Sequence, residues 1–543
     1  MNLHHTIAPL ILSLSAVRVP SCSSEASADY LLSRAETAMG SSALHTLEYS
    51  AVGSAYTFGQ AYTPTSPWPK VNVHSMTRTL NYDSASLREQ VEISRAEPLG
   101  GGAYPASAKQ KNDQFVSGNY AWNMSGTTVV PFSFFLSARI NQLWVTPHGI
   151  IKAAQRSNAV AKLELRDGKA REVVSFREPG TLSAKLYLDD TYHVTRVESR
   201  VPDNVLGETN IVTEYSDYQN FSGVEFPTKI VQTQEGQPLT ELTVTAVTPN
   251  APAEILVPDA VVNFQEKVTS TQVAEGVWFV SGGSHNSVVI EMHDHVVVVE
   301  TPLNDQRSQP VLAEAQRLVP NKPVKCVVNS HPHFDHAGGM RAAVASGATI
   351  VTHEGNAAYY ERAFNTPNTL RPDALALSGK SATVLGVPDD YVLSDGTRTV
   401  ELHRILGSSH ADTMLMAYLP AEKILIEADL FTPGSNPNAP TPAVLESAEG
   451  LVGRQHRALG AQHRADSAAP RPSRVDDGAA HRGGQDADGA LNHHSTSPAE
   501  IPTCQRSLVS PSVSRSCGVT WNASRSSAVY GRWRSGWARY STA

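Results

Sequence analysis

Three histidines and one aspartate fall within six positions of the stretch NSHPHFDHAGG, residues 329–339: His331, His333, Asp335 and His336. In an extended loop alternate side chains point the same way. His331 and His333 can therefore grip one cation while Asp335 and His336 turn toward a second a few ångströms away. Imidazole and carboxylate donors suit zinc, with iron or manganese as alternatives. A lone histidine is usually a satisfied core or surface residue. Four ligand-type residues directly after the apolar run VKCVV are a different matter, because burying them without partners is costly. Gly338 and Gly339 are expected to let the backbone turn tightly into a helix.

The H-x-H-x-D-H motif resembles that of the metallo-β-lactamase superfamily, and its strand–loop–helix context fits. The resemblance implies an αββα sandwich with two metal ions, zinc by expectation, at the sheet edges. It also implies further ligands downstream. The stretch GSSHADTM (407–414) supplies His410, which matches the family's third ligand for the first metal. KILIEADLFTP (423–433) supplies Asp429, which matches the carboxylate that bridges both. Asp412 is expected as a turn or outer residue, and His353 in VTHEGN as a pocket or surface residue. Two divalent cations about 3.5–4 Å apart share a water and lower its pKa from 15.7 toward about 7. The resulting hydroxide would attack a carbonyl or phosphoryl centre, with Asp335 orienting it as well as binding metal. The carboxylate at Asp429 is more similar to glyoxalase-type thioesterases and lactonases than to the lactamases, which commonly carry Cys or no bridging group there. The expected activity is metal-dependent hydrolysis of an ester, thioester, lactone or related bond. Oxygenases and flavodiiron reductases also occur in the superfamily.

The family pattern ends with one more histidine, in a short strand followed by glycine. After Asp429 only His456, His463 and His481 approach that place, and all sit in Arg- and Ala-rich sequence without periodicity. Codons chosen for residues 454–475 and shifted by one nucleotide can spell an amphipathic helix segment and then Pro-Leu-His-Gly-Arg. A frameshift between 450 and 454 would account for this, and would leave the second metal short of a neutral ligand. The alternative to an active hydrolase is thus a metal-binding pseudoenzyme, or a lipid- or ligand-binding module with little turnover.

The elements that must position these residues follow from the rest of the chain. At 543 residues it is too long for one core, and two or three domains are expected. A net charge of −8 argues against a nucleic-acid partner, which would need clustered Lys and Arg. Residues 1–28 read as an export signal, with an apolar stretch over 6–17 and an EASA cleavage site. The expected location is the periplasm or the exterior. Over 29–250 the apolar pattern has period two, broken by tight-turn pairs at Asp167–Gly168, Asp189–Asp190 and Glu235–Gly236. That predicts an antiparallel β-rich domain. Its pattern resembles the half-barrels of periplasmic lipoprotein carriers, which implies lipid or membrane contact through this domain. Residues 251–265 read as a linker, and 266–450 as the α/β sandwich, with a helix near 309–318. The tail 451–543 has no lysine or phenylalanine and too little apolar surface to repay its ordering entropy. The fold class is therefore α+β and multidomain, with the sandwich truncated and the tail disordered. A small-molecule substrate is expected. Cys326 reads as a buried small hydrophobe, and Cys504 and Cys517 as a pair that could bridge in an oxidising compartment.

Overall fold

The computed structural model describes residues 26–96, 101–102, 109–166 and 168–429. Most of the expected signal, the tail from 451 with His456, His463 and His481, and Cys504 and Cys517 lie outside them. The first described element is the helix Ala28–Ala38, whose N-terminus is capped by the Ser27 side chain. Its Leu31, Leu32 and Ala35 are buried in the N-terminal core. The boundary expected after residue 28 falls in this helix's first turn. A cut there would remove a cap worth about 1 kcal/mol.

Thirteen strands form one antiparallel sheet. The strand Thr46–Tyr56 pairs with Lys70–Asn81 on one side and with the last strand, Gln237–Pro249, on the other. Two meanders are thereby joined edge to edge. The helices Ala28–Ala38, Leu136–Trp144 and Pro147–Gln155 pack onto the sheet, and Leu31, Ile140, Ile150, Leu186, Val197 and Phe226 belong to the shared core. The Glu235–Gly236 turn is a two-residue hairpin with φ of +50° and +77°, a mirror-type turn that matches strand twist. At the second expected hairpin, Arg166 pairs with Lys169 around Gly168 at φ +73°, while Asp167 lies outside the described residues. The expected tight turn at Asp189–Asp190 is a longer loop. Strand pairing stops at Leu188 and resumes at Val194 because the Asp189 carboxylate accepts hydrogen bonds from the Thr191 and His193 amides.

After the linker, which holds the one-turn helix Asp259–Val262, comes a seven-stranded mixed sheet. Its strands Thr269–Ala274, Val277–Ser281, Ser287–Glu291 and Val296–Val299 are antiparallel. Val324–Val328, Thr349–His353 and Val384–Val387 continue it in parallel. The helix expected near 309–318 runs over Asp305–Leu318 and starts at the cap Asn304. A four-stranded antiparallel sheet, Asp390–Ser394, Thr399–Arg404, Leu415–Leu419 and Ile424–Ile426, faces the larger one. Val297, Cys326, Val328 and Val351 pack against Leu402, Leu415 and Ala417 between the two sheets. The alternate residues Val298, Val327 and Ile350 pack against helix residues Val311, Ala315, Met340 and Tyr360. Alternation on buried strands thus produces a helix–sheet–sheet layering in the described residues. Between the two domains lies a cavity of about 310 Å³, with Phe58, Phe134, Leu136, Asn304, Phe334 and Arg371 in its walls. Among the described residues no helix is long and apolar enough to cross a membrane.

The β domain carries a pH-sensitive element of its own. His148 is fully buried, stacks on Phe226 at 5.9 Å, and lies 3.3 Å from the Met39 carbonyl. Burial pushes its pKa down to about 4, against the partial opposition of that carbonyl. The unfolded chain takes up this proton near pH 6.5 and the folded one only near 4, so stability falls as pH drops across that window. The loss should reach about 3 kcal/mol. Denaturant titrations at pH 7 and pH 4 should show it, and His148→Phe should flatten the dependence.

Candidate metal centre

The 331–336 residues follow the buried strand Val324–Val328. All four expected side chains, His331, His333, Asp335 and His336, are fully buried. The chain is extended through His333 (φ −65°, ψ 140°) and then enters the one-turn helix Phe334–Ala337. That change of backbone sends the pairs in two directions. His331 and His333 join His410 and Asp429 in one group, and Asp335 and His336 join His285 in another. Within each group the ligand-type atoms all lie within 4.8 Å of one another.

Asp429 stands between the groups. Its Oδ2 is 3.0 Å from His336 Nε2, 3.2 Å from His410 Nε2 and 3.7 Å from His331 Nε2. His336 Nε2 is also 3.0 Å from Asp335 Oδ2, and one N–H cannot serve both carboxylates in line. His410 Nε2 and His331 Nε2 approach to 3.1 Å, close enough for an N–H···N hydrogen bond in one tautomer pair and for a shared cation when both lone pairs face inward. Two buried atoms aimed inward, His333 Nδ1 and Asp335 Oδ2, make no well-aligned hydrogen bond among the described residues, although Asp335 Oδ2 has the ring nitrogens of His336 and His285 within 3.4 Å. Orphaned lone pairs of this kind fit one divalent cation in each group, with Asp429 shared.

The other face of each ring is held. Ser330 Oγ lies 2.8 Å from His331 Nδ1, Glu300 Oε2 lies 2.6 Å from His336 Nδ1, and the Ala61 carbonyl lies 3.0 Å from His333 Nε2. Such outer partners fix which nitrogen is free to bind. Glu300 also accepts the Ser330 amide at 2.7 Å, which ties it to the loop it supports. The His410 segment is anchored by a buried chain of hydrogen bonds from Thr413 through Asn356 and Thr352 to Asn329. Four non-glycine residues around the centre, His285, Glu300, Leu303 and Asp429, hold φ between +50° and +70°. Each costs on the order of 1–3 kcal/mol, and such strain gathers where geometry serves a site.

Electrostatics separates the rings. Burial, reinforced by the neighbouring rings, holds His331 well below its usual range, and burial and His410 push His333 down to about 3. Both therefore present neutral lone pairs at physiological pH. Burial would lower His336 too, but Asp429, Asp335 and Glu300 outweigh it and raise it well above its usual range. A cation entering beside His336 must displace that proton.

The expectation for the two glycines is corrected. Gly338 and Gly339 have ordinary φ values of −66° and −98°, so they are not there for turning freedom. They are there for room: a Cβ on Gly338 would stand 1.7 Å from the Leu303 carbonyl oxygen, and one on Gly339 2.0 Å from Ser308 Oγ. His353, expected as a pocket or surface residue, is buried, accepts the Gly355 amide at a helix start and lies 2.9 Å from Asp389. Asp412, expected as a turn or outer residue, pairs with Arg404 at 2.8 Å. Reading forward from Asp429 for a last histidine overlooked His285, which lies upstream in the loop 282–286. Its Nε2 is 3.4 Å from Asp335 Oδ2, and its ring is 5.2 Å from that of His336. Register explains its arrival: Val288 pairs with Val299, which places the loop before Ser287 beside Glu300. A histidine in a Gly-Ser loop between apolar strands was the available signal. Glu300 and Gln60 were also missed.

Residues 280–482 match the family model described as the metallo-beta-lactamase superfamily. No curated protein matches the chain. Similar solved structures include a metallo-beta-lactamase from Pontibacter korlensis, at 22% identity over 35% of this chain and 86% of that one, with a TM-score of 0.27. A metallo-beta-lactamase from Hirschia baltica follows at 20% identity, over 35% and 85% of the two chains, TM-score 0.25. The mono-zinc form of FIM-1 from Pseudomonas aeruginosa has 18% identity over 35% and 84%, TM-score 0.26.

The geometry makes His285 a candidate neutral ligand beside Asp335 and His336. His285→Ala should weaken the second equivalent of zinc at least about tenfold and leave the first unchanged. Equilibrium dialysis with elemental analysis reads both, and two full equivalents in the variant would remove His285 from the centre.

Proposed function

Residues 280–482 belong to the metallo-beta-lactamase superfamily, and on that premise we propose that the chain is a metal-dependent hydrolase of a small molecule carrying an ester, thioester, lactone or related bond. The observation that carries the reading is the convergence of His331, His333, His410 and Asp429 with Asp335, His336 and His285 on one buried volume. Zinc is the proposed metal, two ions per site, with iron or manganese as alternatives. When bound, such cations polarise a scissile carbonyl and lower the pKa of a water to near neutrality.

The chain's own residues set the rest. His331, His333 and His410 would hold the first cation, and Asp335, His336 and Asp429 the second, with His285 beside them. Asp335 keeps Oδ2 turned inward while Gln60 occupies Oδ1 at 2.7 Å, so the carboxylate has one orientation in which to bind and to accept a proton. Burial of all five rings limits bulk water and strengthens each electrostatic contact. The interdomain cavity of about 310 Å³ has Phe334 but none of these ligand-type side chains in its walls, so it supports the second reading, a ligand-binding module with little turnover.

The full chain loaded with zinc should hydrolyse at least one member of an ester, thioester, lactone and β-lactam panel. A chelator should stop it and zinc should restore it. Asp335→Asn should lower kcat at least about a hundredfold. Bound metal with no turnover across the panel would favour the binding module.

A further inference from the structure

The segment 57–69 belongs to the N-terminal sheet, where it joins the strands Thr46–Tyr56 and Lys70–Asn81. Yet it lies on the metal centre. Phe58 packs edge-on against Phe334 at 5.0 Å and against Trp68 at 4.4 Å, which pins the loop to the 331–336 segment. Gly59 accepts the Phe334 amide at 3.1 Å. With φ +76° and the Phe334 ring 2.4 Å from where its Cβ would stand, this position requires glycine. Gln60 is 5% exposed and donates Nε2–H to Asp335 Oδ1 at 2.7 Å. Ala61 offers its carbonyl to His333 Nε2, and Tyr62 bridges to the His410 segment through Ser408 and Asp412.

We propose that Gln60 and the Ala61 carbonyl are positioning residues of the metal centre, so that the β domain sets the cation affinity of a site built by the other domain. The inference rests on the metal-dependent reading above. Its physical content is a division of labour. His331 and His336 have outer partners from their own domain, Ser330 and Glu300, whereas His333 and Asp335 take theirs from 57–69. The Ala61 carbonyl can accept only if His333 carries its proton on Nε2, which leaves the Nδ1 lone pair for a cation. The Gln60 amide satisfies one Asp335 oxygen and leaves the other. A flipped amide would set oxygen against carboxylate oxygen, so the donor orientation is the one the chemistry permits. Packing alone does not explain why Gln60 Oε1 is buried with no partner among the described residues. The side chain is held there by the contact with Asp335.

The test uses the full chain and Co(II) as probe, in competition with a chromophoric chelator. Gln60→Met keeps length and volume but removes the donor. It should weaken Co(II) binding about 10–100-fold and alter the visible ligand-field bands. In an Asp335→Ala background the same change should cost nothing further, because Gln60 acts through Asp335. Thr65→Ala, at the exposed tip of the same loop, should match the parent and controls for loop disturbance. Thermal unfolding of each variant, with Gln60→Leu as a second donor-free replacement, separates misfolding from loss of the contact. Parental affinity and bands in folded Gln60→Met, with His331→Ala losing Co(II), would overturn the positioning role and leave the metal reading intact. Unchanged Co(II) binding in His331→Ala as well would overturn both.

Discussion

A crowd of imidazole rings and carboxylates out of water has more acceptor lone pairs than N–H donors, and a bound cation can take up the surplus. Here His331 and His410 nitrogens stand 3.1 Å apart, and Asp335 and Asp429 both reach toward the one nitrogen of His336. Protons satisfy this arrangement only in part, because burial and the crowding of rings keep His331 and His333 neutral. Every other feature of the α/β domain can be read as a means of holding that unfavourable crowd in place until cations balance it.

The means are graded with distance from the centre. Nearest are the outer partners Glu300, Ser330, Gln60 and Ala61, each fixing one ring or carboxylate. Next come residues at positive φ and two glycines admitted for close backbone approach between 300–308 and 335–339. Behind these, the Asn329–Thr352–Asn356–Thr413 chain links the motif's loop to the His410 segment. The valine-rich strands supply a rigid floor, since a core sealed on both faces transmits little slack to the loops at its edge. The two domains therefore are not independent beads. The 57–69 loop makes the β domain a part of the centre's support.

What could be read from sequence follows the range of the interactions. His331 to His336 announce themselves because neighbours in the chain are neighbours in the site. His410 and Asp429 were legible only through a resemblance that supplied their order. Gln60 was not legible at all: 275 positions separate it from Asp335, and a glutamine in a Pro- and Thr-rich loop carries no local signal. His285 was hidden differently, since strand register rather than proximity brings it home. In the β domain the hairpins at Gly168 and Gly236 were legible from local turn chemistry, whereas the Asp189 loop was misjudged because a side-chain cap replaced a tight turn. The pairing of the first strand with the last is a closure over nearly two hundred positions, which no local pattern encodes.

Anomalous X-ray diffraction from crystals of the full chain grown with zinc bears most directly on the whole account. It predicts two peaks about 3.5–4 Å apart, one among His331, His333 and His410, the other between Asp335 and His336, with Asp429 touching both. Crystals with no zinc among these side chains, or with zinc only at the separate group Asp294, His295 and Asp395, would contradict it.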